Sequence, residues 1–318
     1  MPFSGQLNIS KALSNIAVKY RNAEDSYVCD KLAPDVVVKQ ETGRYWVFDR
    51  SNFRIPQTIR ANKGRSMDAS TYEMTSTTYQ LNEHAIHDIV TDRDRGNADA
   101  PLSPDADTTE YLTDIILQRR EKMVSDLLTS TNWTNYANLG TTTAFSYLTT
   151  TSDPIGVVQT ASTVILSNAG VTPNVMAMSY DAFVSLKNHP NILERIKYAE
   201  RGIVTEDILS SIFDIPKVLV GKAVYNTAQE GTSEVMGWLM GQANADGTSS
   251  AALVAYINPS PGIRRPSALY NLVIDGKYKV KKWRDEERGG DVIEVSTMFQ
   301  PIVPDYRAGY LLQEPVIR

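Results

Sequence analysis

Residues 171–190 read VTPNVMAMSYDAFVSLKNHP and contain one unbroken succession of strand and helix signals. The short apolar run at 175–178 predicts a buried strand. Ser179 is a favourable N-cap, and a helix is therefore expected at Tyr180–Lys187. Residues 190–198 continue in a helical pattern. A buried strand that leads directly into two helices is typical of a layer of mixed α and β structure.

The flanking residues 153–257 extend this alternation of helix and strand. Asp153 and Pro154 form an N-cap and first-turn pair, and Gly170 closes the helix that they begin. A further short helix is expected at Glu206–Phe213. Strands are expected at three apolar runs, residues 217–220, 235–240 and 252–257. The tail alternates like antiparallel strands over residues 277–283, 292–299 and 310–312.

A longer helix is predicted earlier in the chain, at residues 107–128. Asp107 is a favourable N-cap, and Glu110 occupies the capping-box position three residues later. Apolar residues then recur at helical spacing in two clusters, with four charged residues at 119–122 between them. A helix of about twenty residues is roughly 30 Å long. Residues 129–152 are rich in Thr and Asn and are predicted to form an irregular connector.

A long two-stranded excursion is predicted at residues 44–81. Its two arms, 44–59 and 69–81, contain the Thr and aromatic residues that favour extended strands. From Arg50 to Arg65 the chain carries five basic and no acidic residues. An isolated hairpin is marginally stable in water, so we expect this one to lie on another surface. A solvated loop is the alternative interpretation of the charge run.

The first forty residues carry weaker signals. Ile9, Leu13, Ile16 and Tyr20 lie three or four positions apart and predict a short amphipathic helix within residues 8–20. A strand-like run, residues 36–38, follows Pro34. This part of the chain is therefore expected to be organised only loosely on its own.

The composition is ordinary for a soluble globular protein, with 42% hydrophobic and 22% charged residues among 318. The formal net charge of -5 argues against a dedicated nucleic-acid binder, although not against a container that encloses nucleic acid. Cys29 is the single cysteine, so an intrachain disulfide is excluded and folding in a reducing compartment fits best. The start lacks a signal-peptide pattern and no stretch is apolar enough to span a bilayer, so a membrane partner is not expected.

The sequence contains no readable catalytic, cofactor-binding or metal-binding motif. His84 and His87 lack the spacing of a zinc protease, and residues 92–97 fail the calcium-loop pattern. Residues 247–251 only approach a nucleophile elbow, and no Gly-rich phosphate loop is present. Catalytic, cofactor and metal residues are therefore predicted to be absent. Carboxylate pairs that meet only in the fold stay an open alternative.

Three features resemble the major capsid proteins of tailed bacteriophages, the family with the Hong Kong 97-like fold. Residues 171–198 resemble the strand and helices of the axial domain in that family. The order of N-terminal arm, basic hairpin and capped helix resembles the arm, the extended E-loop and the spine helix. Residues 295–312 read VSTMFQPIVPDYRAGYLL and resemble the peripheral-domain strand and closing segment.

The resemblance implies an α+β fold divided into four parts. These are an N-terminal arm at 1–40, an E-loop at 41–82, a peripheral domain at 83–152 and 258–318 with the spine helix 107–128, and an axial domain at 153–257. In the family the E-loop lies across a neighbouring subunit. The implied intersubunit contacts are four basic residues of the excursion: Arg54, Arg60, Lys63 and Arg65.

The implied function is structural. The chain is expected to self-assemble, as hexamers and pentamers, into an icosahedral shell that encloses the double-stranded DNA of a tailed phage. A separate scaffolding protein, a portal, a possible decoration protein and non-specifically contacted DNA are the other expected partners. No long charged helix precedes the arm, which favours a separate scaffold. The expected location is the virion capsid, after assembly in the cytoplasm of the host bacterium.

Two other classes of protein stay open at this point. An encapsulin-type nanocompartment would share the fold but enclose enzymes instead of a genome. An α/β enzyme or sugar-binding protein with an unreadable site would belong to a different class. A protein that stays monomeric at high concentration would exclude both kinds of shell.

Overall fold

Two mixed sheets and one long helix organise the computed structural model. It describes residues 22–23, 26–48, 53, 55, 74–98, 103–128, 132–133, 135–138, 145, 152–197, 203–229, 231–241, 251–262, 265–274 and 278–313. The helices are α1 (Cys29–Leu32), α2 (Asp92–Asn97), α3 (Pro104–Asp126), α4 (Pro154–Ala169), α5 (Tyr180–Lys187), α6 (Pro190–Ile196) and α7 (Glu206–Phe213). The strands are β1 (Asp35–Val38), β2 (Thr42–Phe48), β3 (Met74–Gln80), β4 (Asn82–Thr91), β5 (Tyr136–Asn138), β6 (Val175–Ser179), β7 (Lys217–Gly221), β8 (Val224–Asn226), β9 (Met236–Trp238), β10 (Ala251–Ala255), β11 (Tyr270–Ile274), β12 (Lys279–Asp285), β13 (Gly290–Ile302) and β14 (Gly309–Gln313).

The first sheet is built around the long strand β13. β4 pairs with one side of β13, while β12 and β11 pair in turn with the other side, all antiparallel. β1 extends the sheet by pairing parallel to β11. One face of the sheet packs against the first half of α3, where Leu112 and Ile116 meet Ile293 and Val295. Burying these apolar side chains fixes α3 across the sheet.

The second sheet has the order β5-β14-β10-β6-β7. Every residue of β6 and β10 is buried, because helices α4–α7 cover one face and α1 with the end of α3 covers the other. Burial on both faces explains why residues 175–178 are uninterruptedly apolar. The predicted helix at Tyr180–Lys187 is confirmed, and the Ser179 hydroxyl accepts a hydrogen bond from the N–H of Ala182. The next helix ends at Ile196, two residues earlier than predicted.

The closing strand β14 belongs to this second sheet. It pairs antiparallel with β10 and parallel with β5. Residues 258–318, which include both β13 and β14, are assigned to the peripheral domain in the prediction. The pairing with β10 joins residues far apart in sequence, which a local strand pattern does not reveal.

Helix α3 begins three residues before its predicted start. The backbone N–H of Asp107 donates to the carbonyl of Ser103, so Asp107 already lies within the first turn and Ser103 is the N-cap residue. The prediction that Asp107 is the N-cap is wrong. Pro104 decides the start, because its fixed φ suits the first helical position and its lack of an N–H costs nothing there.

The base of the predicted two-stranded excursion is confirmed, whereas its residues 49–52, 54 and 56–73 lie outside the described residues. β2 and β3 pair antiparallel from Thr42 with Gln80 to Phe48 with Met74, and they pair with no other strand among the described residues. Tyr79 packs at its base against the core formed by β1 and β11. Two earlier predictions fall outside the described residues, namely the helix within 8–20 and the contact residues Arg54, Arg60, Lys63 and Arg65.

Candidate assembly surfaces

The β2–β3 hairpin and the first sheet enclose a cleft that Trp46 of the hairpin lines. The cleft has a volume of about 80 Å³, and Tyr45, Trp46 and Tyr79 line it on the hairpin side. Tyr270 and Leu272 line it on the side of the sheet. Trp46 is 43% exposed although it is a large aromatic residue. The hairpin thus keeps an unfilled apolar surface in the isolated subunit.

Two buried charges of α3 hold the start of the described chain in place. The Glu121 carboxylate accepts hydrogen bonds from the backbone N–H groups of Val28 at 3.1 Å and Cys29 at 2.8 Å. Burial raises the pKa of Glu121, and these two bonds to the ionised form oppose the rise. The neighbouring Arg120 guanidinium pairs with the carboxylate of Asp35, the first residue of β1. Residues 28–35 are thereby attached to α3.

An ionic cluster lies where α2, α3, β12 and β13 meet. Arg95 contacts Asp105 and Asp291, both at 2.8 Å, and Lys282 contacts Asp105 at 2.7 Å. The hydrogen bond from Arg284 lowers the pKa of the Asp92 carboxyl. Cations and anions are balanced within this cluster, and Asp92 starts a helix instead of a calcium loop. The basic residues of β12 are therefore largely compensated within the subunit.

A buried hydroxyl–imidazole pair joins residue 152 to the start of α6. The Ser152 Oγ lies 2.6 Å from His189 Nε2, and His189 Nδ1 accepts the backbone N–H of Asn191. Because Nδ1 is an acceptor, Nε2 carries the proton of the neutral ring and donates it to Ser152. In this tautomer the imidazole does not act as a base toward the hydroxyl. The pair caps α6 and is not an activated nucleophile.

Acid should weaken the subunit through His189. A histidine titrates near 6.5 when unfolded, and burial lowers the pKa of His189 in the folded state. The unfolded chain therefore binds the proton more readily, so stability is full above pH 6.5 and falls as the pH drops toward the folded pKa. Replacing His189 by Asn keeps a cap acceptor that does not titrate.

Urea unfolding of the unassembled subunit should show a lower free energy of unfolding at about pH 5 than at about pH 7.5, and His189→Asn should make this difference smaller. His87→Asn, which changes an exposed histidine, is the matched control. An unchanged pH dependence in His189→Asn would contradict this assignment.

The described residues hold no group of three His, Cys, Asp or Glu side chains placed to bind a metal ion. In the same part of the chain, no helix is both long and apolar enough to cross a membrane.

Comparisons with known proteins give two similar curated sequences. The chain is 31% identical over 310 residues to a major capsid protein of Burkholderia phage BcepMu, which covers 96% of this chain and 95% of the relative. It is 28% identical over 226 residues to a major capsid protein of Pseudomonas phage JBD67, covering 70% and 71%. No protein-family model matches the chain.

Solved structures show the same fold. A phage-related protein from Bordetella bronchiseptica RB50 superposes with a TM-score of 0.71 at 23% identity, covering 94% of each chain. The capsid of cyanophage P-SCSP1u has a TM-score of 0.59 at 9% identity, covering 98% of this chain and 92% of that chain. An encapsulin complex from Synechococcus elongatus PCC 7942 reaches 0.52 at 11% identity, covering 94% and 92%. These likenesses confirm the predicted α+β arrangement of the Hong Kong 97-like fold.

Proposed function

This chain belongs to the major capsid proteins of bacteriophages, and on that premise we propose that its β2–β3 hairpin and basic loop lie across a neighbouring subunit of the shell. The chain is a structural subunit that self-assembles into the capsid of the virion. The proposal concerns the residues that make the contact. They are the four basic positions of the excursion, Arg54, Arg60, Lys63 and Arg65.

The observation that carries the proposal is a hairpin whose strands pair only with each other within the described residues. A two-stranded sheet of this kind gains stability when a further surface covers it. Trp46 supplies exposed apolar area for such a surface. A hairpin that is covered only on association adds its binding free energy to the stability of the assembled shell.

Charge supports the same contact. Residues 50–65 carry +5, so the rest of the chain carries −10. Because the loop is positive and the rest of the chain is negative, the loop of one copy is attracted to the remainder of another copy. This attraction is screened by salt, so assembly that depends on it should weaken as the ionic strength rises.

The finer organisation rests on the family membership. The subunits form hexamers and pentamers around the packaged double-stranded DNA, with a portal, a separate scaffolding protein and a possible decoration protein, and they assemble in the host cytoplasm. The arm (1–40), the E-loop (41–82), the peripheral domain (83–152 and 258–318) and the axial domain (153–257) keep their proposed bounds, except that β14 joins the axial part. The proposed role of the shell is structural, without a catalytic step.

The triple variant Arg60→Ser, Lys63→Ser and Arg65→Ser tests the contact. We expect a soluble subunit with an unchanged thermal midpoint and a yield of shells at least about 10-fold lower, since each 1.4 kcal/mol lost from an interface is tenfold in its equilibrium constant. Shell yield is measured by sedimentation and electron microscopy. The matched control makes the same charge change at three exposed lysines elsewhere: Lys187, Lys217 and Lys279. Wild-type assembly of the triple variant, or its failure to fold, would show that the loop is placed wrongly.

A further inference from the structure

The side chain of Phe53 lies against the end of helix α4 in its own subunit. A Cβ atom built on Gly170, the left-handed cap of α4 with φ of 70°, would lie 2.9 Å from Phe53 Cζ and 3.1 Å from its Cε1. The edge of the aromatic ring is therefore seated directly on the backbone of Gly170. Any side chain at position 170 would take the place of the ring, so the glycine serves both the helix cap and this seat.

The seat brings the start of the excursion to the second sheet. β2 pairs with β3 up to Phe48, and the chain from there to Phe53 spans at most about 18 Å. α4 belongs to the helices that cover one face of the second sheet. Because consecutive Cα atoms are about 3.8 Å apart, a seated Phe53 also restricts how far the next positions of the chain extend from their own subunit.

Charge favours the same seat. The C-terminal carbonyl groups of a helix carry partial negative charge and attract cations. Helix α4 has no basic residue in its own last turn. Residues 50–65 supply five basic side chains and no acidic one. A positively charged segment is thereby attracted to this helix end.

The seat covers little of the apolar surface at this place. Phe53 stays 65% exposed, and Ile55 is 95% exposed. Leu166, one turn before Gly170 on the same face of α4, is 50% exposed. A partner that covered more of these side chains would stabilise the segment more than the seat does, because the stabilisation grows with the apolar area that is buried.

We infer that Phe53 and Gly170 form a latch that holds the start of the excursion on its own subunit before assembly, and that the neighbouring subunit displaces it. The release rests on the function proposed above, in which the excursion lies across another copy. A latched subunit lacks the form that binds, so its apparent affinity for a neighbour is lowered by the fraction of subunits that are open. The latch thereby slows association of free subunits.

Photo-crosslinking tests both states of the latch. Leu166 is replaced by p-benzoylphenylalanine in the full-length subunit, and irradiation should join it to the tryptic peptide 51–54 of the same chain. The same replacement at Lys187, an exposed residue of α5, is the control and should give no such product. In assembled shells the intrachain product should fall at least about 5-fold. Its absence in the free subunit would overturn the latch, and an equal yield in shells would overturn the release.

A variant of the seat tests the competition. Asparagine tolerates the left-handed conformation, so Gly170→Asn keeps the helix cap while its Cβ displaces the Phe53 ring. The initial rate of assembly, followed by light scattering, should rise about 5-fold. Gly289→Asn is the matched control, because Gly289 has φ of 59° and a Cβ there meets nothing within 4 Å. The two variants should have the same thermal midpoint, and equal assembly rates would refute the competition.

These results are distinguishable from those of the triple serine variant. A missing crosslink in the free subunit, together with a loss of shells in the triple variant, would remove the latch and leave the proposed contact intact. A crosslink in the free subunit, together with normal shells in the triple variant, would contradict the proposed contact of the basic residues.

Discussion

Replacing Arg120 by Ala should lower the free energy of unfolding of the subunit by about 3 kcal/mol. Arg120 is only 6% exposed and pairs with Asp30 at 2.9 Å and with Asp35. Asp35 also accepts a hydrogen bond from the Asn271 side chain at 2.8 Å. The single carboxylate of Asp35 therefore links α3, β1 and β11. Removal of the guanidinium leaves that carboxylate without its cation in a partly buried place.

The measurement is urea unfolding of the unassembled subunit at neutral pH. Arg119→Ala is the matched control, because Arg119 is the adjacent residue of the same helix and is exposed. Its effect should stay within about 0.5 kcal/mol. A loss below about 1 kcal/mol for Arg120→Ala would mean that the ion pairs contribute no more than a surface pair does.

The second large effect is expected at Gly309. A Cβ atom there would overlap Trp133 Cζ3, well inside van der Waals contact. Trp133 is 1% exposed, and its indole Nε1 donates to the carbonyl of Leu127 at 2.9 Å, so the ring moves only at the cost of that bond. Gly309→Ala should therefore cost about 3 kcal/mol through overpacking and the lost hydrogen bond.

Thermal and urea unfolding of the same variant measure this cost. Gly96→Ala is the control, since a Cβ at Gly96 meets nothing within 4 Å and alanine favours a helix. Adding Trp133→Phe to Gly309→Ala should recover part of the loss, because phenylalanine lacks the ring atoms that clash. Additive losses in the double variant would show that the two residues are not coupled.

Local signals predicted the helices and buried strands of the second sheet well. The bounds of Tyr180–Lys187 and Glu206–Phe213 agree with the structure, and Gly170 ends α4 with φ of 70° as a left-handed cap. N-cap, first-turn and C-cap residues act over three or four positions, so one sequence is enough to read them. Ser103 was missed because a nearby Asp107 and Glu110 imitate a capping box.

Features that depend on distant partners were not predicted. Residues 119–122 are all charged, as in a solvent-exposed turn of a helix. Arg120 and Glu121 are nevertheless buried, because residues 28–35 cross α3 at this point. Nothing within a few positions of Glu121 reveals that crossing. The pairing of β14 with β10 was missed for the same reason. The contacts of the four basic residues of the excursion stay a prediction of the resemblance, while the pairing of β2 with β3 at its base is confirmed.

Helix α3 contributes Leu112 and Ile116 to the core of the first sheet and Val124 to the core of the second. One continuous rod of backbone hydrogen bonds is thus embedded at each end in a different close-packed interior. A mechanical load applied to one end, such as the outward pressure of a filled shell, passes to the other end through this rod instead of through a weak boundary that could slide. We therefore expect the two sheets to move together when a load acts on either of them.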